Sequence, residues 1–281
     1  MVRQTLAQEI TQYLTEQGAV RVGFADLHGV AGASLPYGIT ALVALPREIV
    51  GPLVDQPHRA YYDAYQAINV RLDAMAEGCA ALLRAHGYQA TANTEEHLPT
   101  GAEDRSPLPH KAVACRAGLG WIGKNTNLII PGKGSFFFLG EIVTTLEADH
   151  YDTPQKNRCG SCTRCLDACP TGALEGPRHL NARKCLSYLT IENRGEIPVE
   201  QAARLGNRLY GCDTCQEVCP WNRFARPTQI EAFRPKPTLL SLRKEDLKVF
   251  SREDYNRIFA KSAVKRAKYE GLIRNIHNLK D

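Results

Sequence analysis

The spacing of the cysteines constrains this sequence more than any other feature. Eight of the ten cysteines lie within a stretch of 61 residues. Residues 159–170 read C-x2-C-x2-C-x3-C-P, and residues 212–220 read C-x2-C-x3-C-P. Such runs bind [4Fe–4S] clusters in two-cluster ferredoxins, where the last cysteine of each run ligates the other run's cluster. The spacing therefore predicts two clusters in one small domain.

Two cubane clusters need eight thiolates, of which the two runs supply seven, and Cys185 between them is the nearby candidate for the eighth. The predicted ligands of the first cluster are Cys159, Cys162, Cys165 and Cys219. The predicted ligands of the second are Cys169, Cys185, Cys212 and Cys215. Zinc sites usually take two separated C-x2-C pairs and fit this spacing poorly, and disulfides need an oxidising compartment. Cys79 and Cys115 lie in apolar surroundings and are predicted to be buried thiols.

Composition and charge limit the cellular compartment and the binding partners that can be expected for this protein. The 281 residues contain no run of about 18 apolar residues, so no membrane span and no membrane partner are expected. The N-terminus lacks the unbroken apolar segment of a signal peptide, which predicts a cytoplasmic protein. Residues 234–281 carry a net charge of +7 and the rest carry −2. A basic end on a near-neutral body indicates an anionic partner, nucleic acid first, although a solvated helical face has the same composition.

Apolar periodicity divides the chain into three parts. Strand-like and helix-like segments alternate over residues 1–150, which predicts an α/β domain. Residues 151–224 are predicted to form an α+β, ferredoxin-like domain for the two clusters, and residues 225–281 a linker and a short basic helical tail. The predicted helices within the first part cover 1–17, 59–86 and 110–117. The predicted strands there cover 20–26, 39–46, 125–130 and 135–147, and an edge or short strand is predicted to start at YQATAN (88–93).

Several segments also carry a family resemblance. They read CGSCTRCLDACPTGAL, CLSYLTIENRGEIP, GNRLYGCDTCQEVCPWNRF, AGLGWIGKN, GSFFFLGEI and SAVKRAKYEGLIRNIHN. From about Asp104 to its end, the sequence resembles the epoxyqueuosine reductases, in a short form without their C-terminal helical-repeat domain. The resemblance implies an N-terminal α/β domain that binds cobalamin and two clusters that feed it electrons. It also implies reduction of epoxyqueuosine to queuosine in tRNA, the last step of queuosine synthesis.

The resemblance implies roles for individual residues. The family's proton donor is an Asp in a D-x-x-P segment, seventeen residues before the Trp of the GWIGK motif, which corresponds here to Asp104 before Trp121. His110 stands where the family usually has an acidic residue, and it is the reserve acid because histidine titrates near neutral pH. The residues expected to contact the cofactor are Asp104, Leu128, Ser187, Glu192 and Asp213.

The expected partners are tRNA bearing epoxyqueuosine and an external low-potential electron donor, and family precedent implies a monomer. Basic side chains contact phosphates. The predicted tRNA contacts are Arg208, Lys265, Arg266, Lys268 and Arg274. Two alternatives stay open. Because His110 and the N-terminal third depart from the family, the chain could be a corrinoid iron–sulfur reductase for another small substrate. It could also be a ferredoxin-like electron carrier docked to a larger redox complex.

Overall fold

The fold comes from a computed structural model, which describes residues 5–44, 59–93, 108–225, 249–259 and 263–279. Contacts divide these residues into two units. The first unit comprises residues 5–44, 68–93, 108–123 and 127–158. The second comprises residues 59–67, 124–126, 159–225, 249–259 and 263–279. Within these described ranges, no helix is both long enough and apolar enough to cross a membrane.

Most elements described between residues 5 and 144 match predicted segments, but a strand at Trp121–Ile122 was not predicted. The helices are α1 (Leu6–Glu16), α2 (Arg59–Ala85) and α3 (His110–Arg116). The strands are β1 (Arg21–Asp26), β2 (Tyr37–Ala44), β3 (Ala90–Ala92), β4 (Trp121–Ile122), β5 (Leu128–Ile129) and β6 (Phe137–Thr144). The strand predicted over 125–130 shortens to the two residues of β5.

The first helix shows how local sequence sets an element's limits. Thr5 precedes α1, and its hydroxyl accepts from the Gln8 amide at 3.3 Å while the Gln8 side chain accepts from the Thr5 amide at 3.0 Å. This capping box satisfies two amides that the first turn leaves free. Ile10 and Leu14 are fully buried on one face. Gly18 ends the helix with a φ of 105°, a conformation that glycine adopts without strain.

The sheet of the first unit corrects one part of the prediction. Its strand order is β1–β2–β6–β3, and every pairing in it is antiparallel. Alternating helices and strands usually indicate a parallel α/β sheet, but β1 and β2 are neighbours without an intervening helix, and β6 pairs on both sides with strands of opposite direction. The unit is therefore α+β in topology, with helices beside an antiparallel sheet.

Helix α3 packs on this sheet and leads into a short hairpin. A Cβ at Gly23 of β1 would lie 2.4 Å from the Ala117 carbonyl oxygen, so glycine permits the close approach of the segment that follows α3. The hairpin pairs Trp121 of β4 with Ile129 of β5. The Gly123 amide donates to the Asn127 carbonyl at 2.8 Å and closes the turn over residues 124–126.

The second unit is built from short elements. Its helices are α4 (Arg164–Asp167), α5 (Leu186–Ile191), α6 (Val199–Ala202), α7 (Thr214–Glu217), α8 (Arg252–Ile258) and α9 (Lys268–His277). A hairpin of β7 (Leu174–Gly176) and β8 (His179–Leu180) completes it, with 3-10 turns over Ala182–Lys184, Pro220–Phe224 and Ala263–Ala267.

The basic C-terminal segment is packed into this second unit. Leu209 shares an apolar cluster with Phe259 of the segment after α8 and with Leu272 of α9. Asn275 of α9 is fully buried, and its side-chain amide donates to the Thr190 and Leu209 carbonyls at 2.8 and 2.9 Å. The described residues after 248 therefore form part of the cluster unit, whereas the prediction sets residues 225–281 apart as a linker and tail.

Candidate functional site

The eight cysteines of the two motifs lie in two groups of four. Within each group the thiols are close enough to interact electrostatically. One group comprises Cys159, Cys162, Cys165 and Cys219. The other comprises Cys169, Cys185, Cys212 and Cys215. These groups have the same members as the two ligand sets predicted from spacing, and an interaction between Cys165 and Cys215 links one group to the other.

The electrostatics of these thiols fit a multivalent cationic partner. Burial, followed by the neighbouring thiols and Asp213, raises the pKa of Cys215 to about 12. Burial is also the main reason that the pKa values of Cys165, Cys185 and Cys219 lie above their ordinary range. Bringing four such sulfurs together as thiolates is costly unless positive charge accompanies them, and iron supplies that charge. The eight thiols form no disulfides.

Backbone amides also point at two of the sulfurs. The Cys219 sulfur accepts from the amides of Trp221 and Asn222, and the Cys185 sulfur accepts from those of Ser187 and Tyr188. Hydrogen bonds to cluster sulfurs help to set reduction potentials. Within the described ranges, which include all eight cysteines, no three His, Cys, Asp or Glu side chains converge on one metal ion.

The local fold around each motif follows from its sequence. In the first motif, the Cys162 amide donates to the Cys159 carbonyl at 3.2 Å, and the one-turn helix α4 then carries Cys165. In the second motif, helix α7 carries Cys215 in the equivalent way. The two helices lie against each other. This contact brings the motifs together and accounts for the proximity of Cys165 to Cys215.

Two side chains from the GWIGKN segment contact both motifs. The Lys124 ammonium group donates to the Cys162 carbonyl at 2.8 Å, and the Asn125 amide donates to the Cys215 carbonyl at 3.2 Å. Asn125 is 3% exposed. The Lys124 carbonyl in turn accepts from the Arg178 amide at 2.9 Å. Sequence reasoning assigns no role to Lys124 or Asn125, although the family resemblance depends partly on the segment that carries them.

The residues expected to bind a cofactor lie in different surroundings. In the first unit, Leu128 is 7% exposed and belongs to the apolar core. In the second unit, Ser187 lies in the first turn of α5 and is partly buried. The Glu192 carboxylate pairs with the Arg266 guanidinium at 2.5 Å. The Asp213 carboxyl accepts from the Gln216 amide at 2.6 Å, and burial raises its pKa.

The predicted proton donors are placed only in part. Asp104 lies outside the described residues. In the first unit, the His110 ring bonds through Nδ1 to the carboxylate of Glu141, a residue of β6 that is 1% exposed. The side-chain nitrogen of Asn93 lies 3.4 Å from His110 Nε2. A buried carboxylate therefore fixes the orientation of this ring.

The basic residues divide into two kinds. Arg208 donates to the Leu205 carbonyl and to the Thr214 hydroxyl, Arg266 pairs with Glu192, and Arg274 donates to three backbone carbonyls. These guanidinium groups hold parts of the second unit together. The side chains of Lys265 and Lys268 are exposed to solvent.

The remaining two cysteines both lie in the first unit. Cys79 is fully buried, and burial raises its pKa to about 12. Cys115 is half-buried, and burial also raises its pKa. The prediction of a buried thiol is confirmed for Cys79, while Cys115 is more accessible than predicted.

Comparison with known proteins agrees with these features. Residues 158–222 match the family model of the 4Fe-4S double cluster binding domain, which confirms the predicted two-cluster segment. An epoxyqueuosine reductase of Cellulophaga algicola is 48% identical over 177 residues, which are 63% of this chain and 58% of that protein. One of Pseudomonas aeruginosa is 40% identical over 227 residues, which are 78% of this chain and 60% of that protein.

This chain is related to the epoxyqueuosine reductases. The matched part of the chain spans 58% and 60% of the length of those two relatives. An epoxyqueuosine reductase crystallised with an epoxyqueuosine-modified tRNA-Tyr stem loop aligns with a TM-score of 0.77 at 26% identity, over 97% of this chain and 80% of that one. The Bacillus subtilis epoxyqueuosine reductase, with its catalytic loop swung out of the active site, aligns with a TM-score of 0.78 and the same identity and coverage.

A second group of solved structures shares the fold alone. A reductive dehalogenase, described in connection with B12-dependent dehalogenation, aligns with a TM-score of 0.54 at 20% identity. The match covers 96% of this chain and 37% of the dehalogenase. Its activity carries no weight for this chain at that identity.

Proposed function

We propose that this protein reduces epoxyqueuosine in tRNA to queuosine, with two [4Fe–4S] clusters passing electrons to a bound cobalamin. The observation that carries the proposal is the pair of four-thiol groups that meet at Cys165 and Cys215, in a chain related to epoxyqueuosine reductases. The protein works as a monomer in the cytoplasm and takes electrons from an external low-potential donor.

The proposed ligand sets are the same two groups of four cysteines that were predicted from their spacing. The first cluster is bound by Cys159, Cys162, Cys165 and Cys219, and the second by Cys169, Cys185, Cys212 and Cys215. When bound, the clusters supply one electron each at low potential, and cobalamin supplies a reduced cobalt centre that can attack carbon. Cys165 and Cys215, which interact with each other, would each hold one of the two clusters.

Polar groups of the second unit fit the rim of a corrin ring, which carries amide side chains. The Ser187 hydroxyl can donate to an amide oxygen or accept from an amide nitrogen. The Asp213 carboxyl, whose pKa is raised by burial, can do the same when it is protonated. The family resemblance also assigns Leu128 of the first unit's core to the cofactor, together with Glu192, which positions the Arg266 guanidinium. Asp104 completes the set of residues assigned to the cofactor.

Removal of the epoxide oxygen needs a proton source. The conversion of an epoxide to an alkene takes up two electrons and two protons and releases the oxygen as water. Asp104 donates the proton to the leaving oxygen, since an alkoxide leaves poorly unless it is protonated. His110 is the reserve acid, and its bond to the buried Glu141 carboxylate keeps its ring in one orientation.

The tRNA is bound by the basic face of the second unit. Lys265 and Lys268 are exposed and contact phosphates, which position the substrate. Three other predicted contacts support this face without contacting phosphate, because their guanidinium groups bond to neighbouring protein atoms. They are Arg208, Arg266 and Arg274. Binding through phosphates should weaken steeply with added salt.

A turnover assay tests the proposal. Anaerobically reconstituted protein is mixed with epoxyqueuosine-containing tRNA and a reductant, with and without cobalamin, and the nucleosides are measured by mass spectrometry. The proposal predicts queuosine only in the presence of cobalamin. Corrinoid uptake without queuosine would point to another small substrate, and failure to take up any corrinoid would point to an electron carrier.

A further inference from the structure

The turn over residues 124–126 bridges the two cysteine motifs. Lys124 Nζ lies 2.8 Å from the Cys162 carbonyl oxygen, in the first motif, and Asn125 Nδ2 lies 3.2 Å from that of Cys215, in the second. These two residues are adjacent in the chain. A rigid turn that holds one atom of each motif therefore fixes the separation of the motifs.

Several features of the second unit make this turn rigid. Thr126 has a φ of 66°, a conformation that residues other than glycine rarely adopt. The Asn125 side chain is buried at 3% exposure. The Lys124 carbonyl accepts from the Arg178 amide at 2.9 Å, which ties the turn to the β7–β8 hairpin. The ammonium group is thus held at the first motif and does not sample solvent freely.

A fixed positive charge affects the two clusters unequally. Reduction adds one negative charge to a cluster, so a nearby cation stabilises the reduced form. The Lys124 ammonium group contacts the carbonyl of Cys162, a ligand of the first cluster, whereas the neutral Asn125 amide contacts that of Cys215, a ligand of the second. The turn should therefore raise the reduction potential of the first cluster more than that of the second.

We propose that Lys124 and Asn125 are positioning residues for electron transfer. Lys124 raises the reduction potential of the cluster bound by Cys159, Cys162, Cys165 and Cys219 above that of its neighbour. Asn125 supports the position of helix α7, which carries Cys215 and also contacts α4. The inference rests on the two-cluster assignment within the proposed function. The higher potential gives electron transfer a direction, because at equilibrium the first cluster is then reduced to a greater extent than the second.

The test is a redox titration of the iron-loaded protein, followed by electron paramagnetic resonance, without cobalamin or tRNA. Lys124→Gln keeps a donor for the Cys162 carbonyl but removes the charge. It is expected to change the reduction equilibrium of one cluster about tenfold toward the oxidised form, which for one electron is about 59 mV. The other cluster should keep its potential. Lys124→Arg keeps the charge and should keep both potentials.

A matched control separates local from general charge effects. Arg204 is exposed in the same unit, and Arg204→Gln removes one positive charge there, so both potentials should stay unchanged. For Asn125→Leu, we expect weaker magnetic coupling between the reduced clusters at full iron content, since helix α7 loses the hydrogen bond at its Cys215 carbonyl and keeps only its contact with α4.

Three outcomes would overturn the proposal. The first is unchanged potentials in iron-replete Lys124→Gln, and the second is an equal shift of both clusters. The third is loss of iron in Lys124→Gln while Lys124→Arg keeps it, since the charge would then serve assembly and not the potential. A wild-type protein with these potentials that still makes no queuosine would refute the proposed function and leave this inference intact.

Discussion

Replacing Arg274, a predicted tRNA contact, tests whether this residue stabilises the fold. Its guanidinium group donates to the carbonyls of Leu189, Asn193 and Gly195 at 2.8, 2.7 and 2.6 Å. These carbonyls lie at the end of α5 and in the loop that follows it, and α5 begins directly after Cys185. The side chain therefore joins α9 to the segment that carries one cluster ligand.

The size of the effect follows from these contacts. A hydrogen bond from a charged donor contributes about 1.5–3 kcal/mol when its partner would otherwise be unsatisfied. Arg274 is partly exposed, so water can replace some of these hydrogen bonds in the variant. With three such bonds, Arg274→Ala should lower the free energy of unfolding by about 3–5 kcal/mol. At about 2–4 °C per kcal/mol for a unit of this size, the melting temperature should fall by about 6–20 °C.

The assay follows cluster absorbance during anaerobic heating, since this signal reports the cluster unit alone. Arg274→Lys keeps the charge but lacks the planar fork that reaches three acceptors, so it should recover less than half of the loss. The matched variant is Lys265→Ala, whose side chain is exposed. It should melt like the wild type and lower the salt slope of tRNA binding by about one.

Two results would refute this reasoning. Arg274→Ala that melts within about 2 °C of the wild type would mean that the three carbonyl bonds contribute little. A salt slope that falls in Arg274→Ala as much as in Lys265→Ala would mean that the guanidinium binds phosphate in the complex.

Three further predictions concern cysteines and the proton donor. Asp104→Asn should slow single-turnover queuosine formation at least about 100-fold at unchanged iron and corrinoid content; normal turnover would remove the assignment. Cys185→Ala should reduce iron from about eight to about four per chain by chemical analysis, whereas Cys115→Ala should keep all of it. Cys79 should resist iodoacetamide near neutral pH, because a pKa of about 12 leaves almost no thiolate; modification at the rate of a free thiol, followed by mass spectrometry, would contradict its burial.

The cysteine groups could be predicted from the sequence because cluster chemistry fixes ligand number and spacing together. Two cubanes require eight thiolates, and this count alone assigns Cys185 to the second set. The structure brings Cys185 close to Cys169 and Cys212. The helices and strands of the first unit were also predictable, since each depends on a local apolar period and on residues such as Thr5 and Gly18 at its ends.

The sheet topology could not be predicted, because strand pairing depends on residues far apart in the chain. Ala44 pairs with Phe137, and Ala92 pairs with Ile142. Local patterns contain nothing that distinguishes an antiparallel partner from a parallel one at such separations. The alternation of helices and strands therefore led to the wrong topology for a correct set of elements.

The roles of individual charged side chains also could not be predicted from the sequence. Positive residues at helical spacing predict a basic face, but they do not tell which charges the protein itself uses. Arg274 and Arg266 bond to neighbouring protein atoms, while Lys265 stays exposed. Lys124 and Asn125 were missed for the same reason, since their hydrogen bonds to distant carbonyls leave no local pattern.

A stoichiometric single turnover tests the central claim most directly. The cobalamin-loaded protein is reduced, freed of reductant and mixed with epoxyqueuosine-containing tRNA. The epoxide takes up two electrons, so we predict about one queuosine per chain, with the clusters and the cobalt together having lost two electrons. Iron-replete, corrinoid-loaded protein that keeps its clusters reduced and forms no queuosine would contradict the account.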